Sequence, residues 1–220
     1  MLEKKQVDPL DRLLVRITNY KLIQILENED AFRLYNKLDN EIFLSLGKES
    51  KPIIVASAQA GEGRTTIALL LASFSAAYDP SRKVLLIDGH LKGGDIGSFF
   101  EIHKKGKTEL DNLHIITSNN RNGARIKLSH TRFTALIEEA KKLYDLIIVD
   151  SPPANISNDV ISFAKVIKNV LLVVRYGGPN RQQIKRLVDD LKRAEANILG
   201  VVFNQREYHI PEFFYGAKKS

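Results

Sequence analysis

Residues 53–66 read Ile53-Ile54-Val55-Ala56-Ser57-Ala58-Gln59-Ala60-Gly61-Glu62-Gly63-Arg64-Thr65-Thr66, and an Ala- and Leu-rich run follows as far as Tyr78. The uncharged start reads as a buried strand, the small residues as a tight turn, and 65–78 as a helix. In that order the three pieces aim successive backbone N–H groups and the positive helix end at one point, an anion site suited to a phosphate. Gly61 and Gly63 permit the tight backbone, Glu62 stands between them, and Thr65 and Thr66 open the helix with hydroxyls. The Thr65 hydroxyl is placed to ligate Mg²⁺. The pattern G-x-x-x-x-G-K-[ST] fails at two positions, where Ala58 replaces the first Gly and Arg64 replaces the Lys. The competing reading is a plain strand–helix turn that merely uses two glycines.

Two further segments favour the phosphate loop. Val84-Leu85-Leu86-Ile87-Asp88 and Leu146-Ile147-Ile148-Val149-Asp150 each end an apolar run with a carboxylate, and Ser151-Pro152-Pro153 follows the second as a rigid turn. One carboxylate can hold a Mg²⁺ shell while the other orients an attacking hydroxyl or water, so Thr65, Asp88 and Asp150 are the metal candidates. An aspartate at a strand end is by itself often only a helix cap; two of them downstream of a phosphate loop form a stronger signal. More apolar runs lie at His114–Thr117, Val170–Arg175 and Ile198–Asn204, with helical stretches at Thr131–Tyr144 and Arg181–Ala196. Fully apolar strands alternating with helices imply an α/β fold, a doubly wound and mainly parallel sheet with helices on both faces. Ligands of such sheets sit at the carboxyl ends of the strands.

Upstream, Leu10, Leu13, Leu14 and Ile17, and then Ala31, Leu34, Tyr35 and Leu38, follow i, i+3, i+4, i+7 spacing, which predicts N-terminal helices. The expected organisation is a helical segment over 1–48, a nucleotide-binding domain over 49–206 and a tail over 207–220. The chain has 220 residues and no cysteine, which excludes disulfides, thiolate zinc sites and Cys nucleophiles. Its start is charged, and no apolar run approaches the ~18 residues of a spanning helix, so a cytoplasmic protein is expected. A formal charge of +7 leans toward anionic partners, although the basic residues are scattered and read mainly as a solvated surface.

The order AQAGEGRTT, VLLIDGHLK, YDLIIVDSPP and ILGVVFN resembles the bacterial tyrosine kinases of capsule and exopolysaccharide synthesis, relatives of the MinD/ParA ATPases, over about residues 28–205. The resemblance implies ATP and Mg²⁺ as cofactors and a cradle of Gly61, Glu62, Gly63, Arg64, Thr65 and Thr66. It also implies that Asn204 reads the adenine edge and that Asp88, with Arg64, serves phosphotransfer. A membrane-embedded polysaccharide co-polymerase is the implied partner, one that would recruit the chain to the inner face of the cell membrane. The family's E-x-x-R-x-x-R oligomerisation element survives in part as Asp30-Ala31-Phe32-Arg33-Leu34-Tyr35-Asn36, which implies a weakened homo-oligomer.

Departures fall on the chemistry. Arg64 stands for the phosphate-contacting Lys, His90 for the second Asp of a D-x-D pair and Lys92 for an Arg; Tyr208 and Tyr215 stand where a tyrosine cluster is usual. Arg keeps the charge of Lys, but its planar fork differs in size and geometry. The expected function is therefore an ATP-binding, autokinase-like regulator of polysaccharide polymerisation and export with reduced or lost phosphotransfer. A nucleotide-binding scaffold of the same machinery is an alternative. A ParA/MinD-type partitioning ATPase is a second, disfavoured by Gln59 where that branch carries a signature Lys, and nucleic acid is not an expected partner. The Phe213-Phe214-Tyr215 patch before Lys218 and Lys219 offers a docking or membrane-surface alternative for the tail.

Overall fold

The computed structural model describes residues 14–16, 29–47, 51–89, 112–116 and 130–204. In chain order the elements are β1 (Leu14–Arg16), α1 (Glu29–Leu46), β2 (Lys51–Ser57), α2 (Arg64–Tyr78), β3 (Val84–Asp88), β4 (Leu113–Ile116), α3 (His130–Leu143), β5 (Leu146–Asp150), α4 (Asp159–Ile167), β6 (Asn169–Arg175), α5 (Arg181–Arg193) and β7 (Asn197–Asn204). They build one sheet of seven strands in the order β1-β4-β3-β5-β2-β6-β7. All strands from β2 to β7 run parallel, so the doubly wound expectation is met.

The N-terminal expectation needs a correction. Leu14–Arg16 is not helical but forms an antiparallel edge strand, with Leu14 opposite Ile116 and Arg16 opposite His114. An edge strand leaves a row of N–H and C=O groups open, and pairing them outweighs a helical period that spans only two turns. The second amphipathic segment is helical, as α1.

Because every residue of β2 is buried, the two faces of the strand lead into two cores. Ile53 and Val55 face α1 and α2 with Ile67, Leu71 and Phe74, while Ile54 and Ala56 face the opposite layer with Phe133, Ile137, Phe163 and Leu187. Tyr35 of α1 stacks on Phe74 of α2 with ring centroids 4.8 Å apart. Fully burying a side chain such as Phe74 stabilises the fold by roughly 1.5–3 kcal/mol. α2 is the most enclosed helix, apolar around almost its whole circumference from Ile67 to Phe74, and Asp79-Pro80 ends it because proline cannot continue the ladder. α5 begins with a capping box between Asn180 and Gln183.

Parallel pairing has one consequence for chemistry. Ser57, Asp88, Asp150, Arg175 and Asn204, each the last residue of its strand, gather at a single edge of the sheet. Among the described residues, no helix is long and apolar enough to cross a membrane.

Candidate nucleotide-binding site

β2 is the central strand of that edge, paired to β5 on one side and β6 on the other, and its tip leads into the loop 58–63. Gly61 and Gly63 have φ of +77° and +85°, the left-handed region that side chains rarely adopt. Gly63 caps α2 with no side-chain hydrogen bond, so the first N–H groups of α2 are left for a ligand. A Cβ at Gly63 would also overlap the Asn204 amide.

The loop is tied to the sheet by Glu62, a buried carboxylate. Its Oε2 accepts from the Gln59 N–H at 2.6 Å, and its Oε1 accepts from the Arg175 N–H at 3.2 Å. From the other side, the Asn204 amide donates to the Glu62 carbonyl at 3.0 Å. In this arrangement Arg175 of β6 and Asn204 of β7 both hold Glu62 and so shape the loop. Sequence reasoning placed Glu62 and Asn204 at the site, as nucleotide contacts, but missed Arg175 and the bracing role. A backbone N–H acting as a partner leaves no trace in residue identity.

The structure brings the two aspartates together at neighbouring strand tips. Asp88 and Asp150 are register partners on neighbouring strands, both almost fully buried and in one row with Val55, hence on the α2 face. Arg64, the first residue of α2, is only 8% exposed and reaches down to this row. Its Nε donates to Asp150 Oδ1 at 2.7 Å and its Nη1 donates to Ser57 Oγ at 3.0 Å. Thr65 Oγ1 donates to the other Asp150 oxygen at 2.7 Å. The turn after β5 is anchored in turn, with the Ser151 N–H and hydroxyl both on the Val55 carbonyl and the Ala154 N–H on the Ser57 carbonyl.

Thr65 and Asp150 supply the oxygens a divalent ion would share. A guanidinium already holds one of the carboxylate oxygens, however, and a dication there would face a fixed positive charge. The donor set, as arranged, does not fit the metal. Thr66 opens α2 beside Thr65, and His90, Lys92, Tyr208 and Tyr215 lie outside the described residues.

A phosphate loop between a central parallel strand and a buried helix, with aspartates at two adjoining strand tips, defines the P-loop NTPase fold. The cell-division ATPase MinD of Pyrococcus furiosus has this fold, with a TM-score of 0.55 and 23% identity over 70% of this chain and 71% of that one. The chimerical protein CapA2B2 is more similar, at a TM-score of 0.71 and 22% identity over 87% of this chain and 93% of that one. No family model matches the chain. Tyrosine-protein kinase CpsD of Streptococcus pneumoniae is 30% identical over 210 residues, 84% of this chain and 91% of the relative. The chain belongs to the bacterial tyrosine-protein kinase family.

Proposed function

We propose that this chain is a nucleotide-binding, tyrosine-autokinase-like protein that regulates capsule or exopolysaccharide polymerisation and export, with phosphotransfer reduced or lost. Its kinship with the tyrosine-protein kinases supports the family role. The observation that carries the rest is the direction of Arg64, which turns onto Asp150 and Ser57 instead of standing over the loop. The nucleotide is ATP or ADP. Its β-phosphate rests on the N–H groups of Gly61 to Thr66, shaped by Glu62, with Asn204 beside the loop near the base. Asp88 orients the acceptor hydroxyl in whatever phosphotransfer persists. The partner is a membrane-embedded co-polymerase chain, and Arg33, exposed on α1, belongs to the face that would meet a further copy of this chain.

A second reading, a scaffold that binds nucleotide without transferring phosphate, is favoured by the same Arg64 geometry. One experiment separates the two. Purified protein is incubated with ATP, with and without Mg²⁺, and Tyr208 and Tyr215 are inspected for phosphate by mass spectrometry. The autokinase reading expects slow phosphorylation that Asp88→Asn abolishes. Nucleotide binding without any phosphotyrosine leaves the scaffold, and no nucleotide binding removes both.

A further inference from the structure

We propose that the Arg64 guanidinium takes the divalent ion's place on Asp150, so that the loop binds a nucleoside diphosphate free of metal. The proposal rests on the nucleotide-binding reading above and deepens it.

Both Asp150 oxygens are committed, Oδ1 to Arg64 Nε and Oδ2 to the Thr65 hydroxyl, each at 2.7 Å. The guanidinium is also held from a second side. Ser57 Oγ accepts from Nη1 at 3.0 Å while its own proton goes to the Gln59 carbonyl at 2.9 Å. Gly63 sets the start of α2 through its left-handed backbone, which fixes where the Arg64 side chain begins. The cation is therefore positioned from its backbone, from Ser57 and from Asp150 at once.

A magnesium ion demands a near-octahedral shell of oxygens and gives up its waters reluctantly. Asp150 is 1% exposed, so the ion would have to enter a buried site, displace the fork and remain beside it. Arg64 already neutralises Asp150, which is one of the services the ion renders at such a strand tip. A lysine would carry the same charge but hold it differently, because a compact ammonium lacks the planar fork that presents Nε to Asp150 and Nη1 to Ser57 in one fixed geometry. The Lys-to-Arg change is thus read as the change that makes the metal dispensable.

The test is calorimetric titration of the full chain with ADP, in magnesium and again after chelation by EDTA, with Mn²⁺ paramagnetic resonance as a separate readout. The wild type is expected to hold ADP no more tightly in magnesium than after chelation, because magnesium competes for the free nucleotide, and Mn²⁺ with ADP and protein to give the spectrum of Mn²⁺ with ADP alone. Arg64→Lys is expected to bind ADP about tenfold or more tightly with magnesium than without, and to retain protein-bound Mn²⁺. A wild type strengthened about tenfold by magnesium overturns the proposal, as does an Arg64→Lys protein that stays indifferent to metal. The wild-type arm stands alone if the variant fails to fold. Absence of ADP binding under every condition overturns the nucleotide reading itself, an outcome distinct from metal-dependent binding.

Discussion

Two buried arginine–aspartate pairs stand at opposite edges of one sheet. At the carboxyl edge Arg64 meets Asp150 at 2.7 Å with side chains 9% and 2% exposed; at the amino edge Arg82 meets Asp39 at 2.6 Å with side chains 11% and 1% exposed. Distance and burial barely distinguish them. Their surroundings do. Arg82 also donates to Ser75 Oγ at 2.8 Å, lies 3.7 Å from Asp79 and sits over the Phe43 ring, so it binds α1, the end of α2 and the turn before β3 into one unit. Arg64 instead shares its aspartate with Thr65, at the strand tips where the fold places ligands. An identical contact is architectural in one place and part of a binding site in the other, and only its position in the fold says which.

The sharpest way to break this contrast is to remove one carboxylate at a time. Asp39→Asn leaves buried Arg82 with only Asp79, 3.7 Å away and partly exposed, as a charge partner and is expected to cost about 3–5 kcal/mol in urea unfolding, a gap to wild type that ADP leaves unchanged. Asp150→Asn is expected to cost toward the lower end of that range, roughly 3 kcal/mol, with part regained in ADP as Arg64 turns to the phosphates. Equal rescue of both variants by ADP, or of neither, would erase the distinction.

Alkaline titration probes the architectural side next. Burial pushes the Tyr35 phenol up from 10.0 to about 12. A folded value above the unfolded one means that the neutral phenol is the favoured form, so the full stability is present below pH 10 and is lost as the pH rises toward 12. The expected loss is about 2–3 kcal/mol, and Tyr35→Phe should flatten that part of the pH–stability curve. An unchanged curve in the variant would show that α1 is not held where Tyr35 stacks on Phe74.

The smallest effect concerns Phe43, whose ring lies beneath both Lys51 and Arg82. Burial first, and then neighbouring Arg82, lower the Lys51 pKa. Phe43→Leu is expected to cost about 1 kcal/mol and to leave ADP affinity unchanged, measured by thermal unfolding and titration. An altered ADP affinity would mean that the two edges communicate.

Much of this organisation is legible in the chain alone. The parallel strands betray themselves because residues such as Ile53 to Ala56 are apolar on both faces, and a two-sided core permits nothing else. Leu10 to Ile17 misled because eight residues fit a helical period by chance, while the preference of Leu14–Arg16 for β4 depends on a partner about a hundred residues away. Gly61, Gly63, Asp88 and Asp150 were readable at the site, since glycine turns and strand-terminal carboxylates are local signals. The Arg64 contact was not. It joins residues 86 positions apart, and the motif assigns position 64 to the phosphate. The bracing role of Glu62, read only as a nucleotide contact, was hidden for a related reason, because a glutamate between two glycines gives no hint that backbone N–H groups will enclose it.

Asn204 ends β7 against the loop. Tyr208 follows four residues later and Tyr215 eleven, so fully stretched chain spans at most ~14 Å and ~40 Å from that anchor. Chain length alone therefore bounds the two tyrosines at unlike distances from the nucleotide loop. Phosphate reaching Tyr208 from its own molecule would accumulate at a rate independent of protein concentration, and phosphate reaching Tyr215 from another copy at a rate that rises with it.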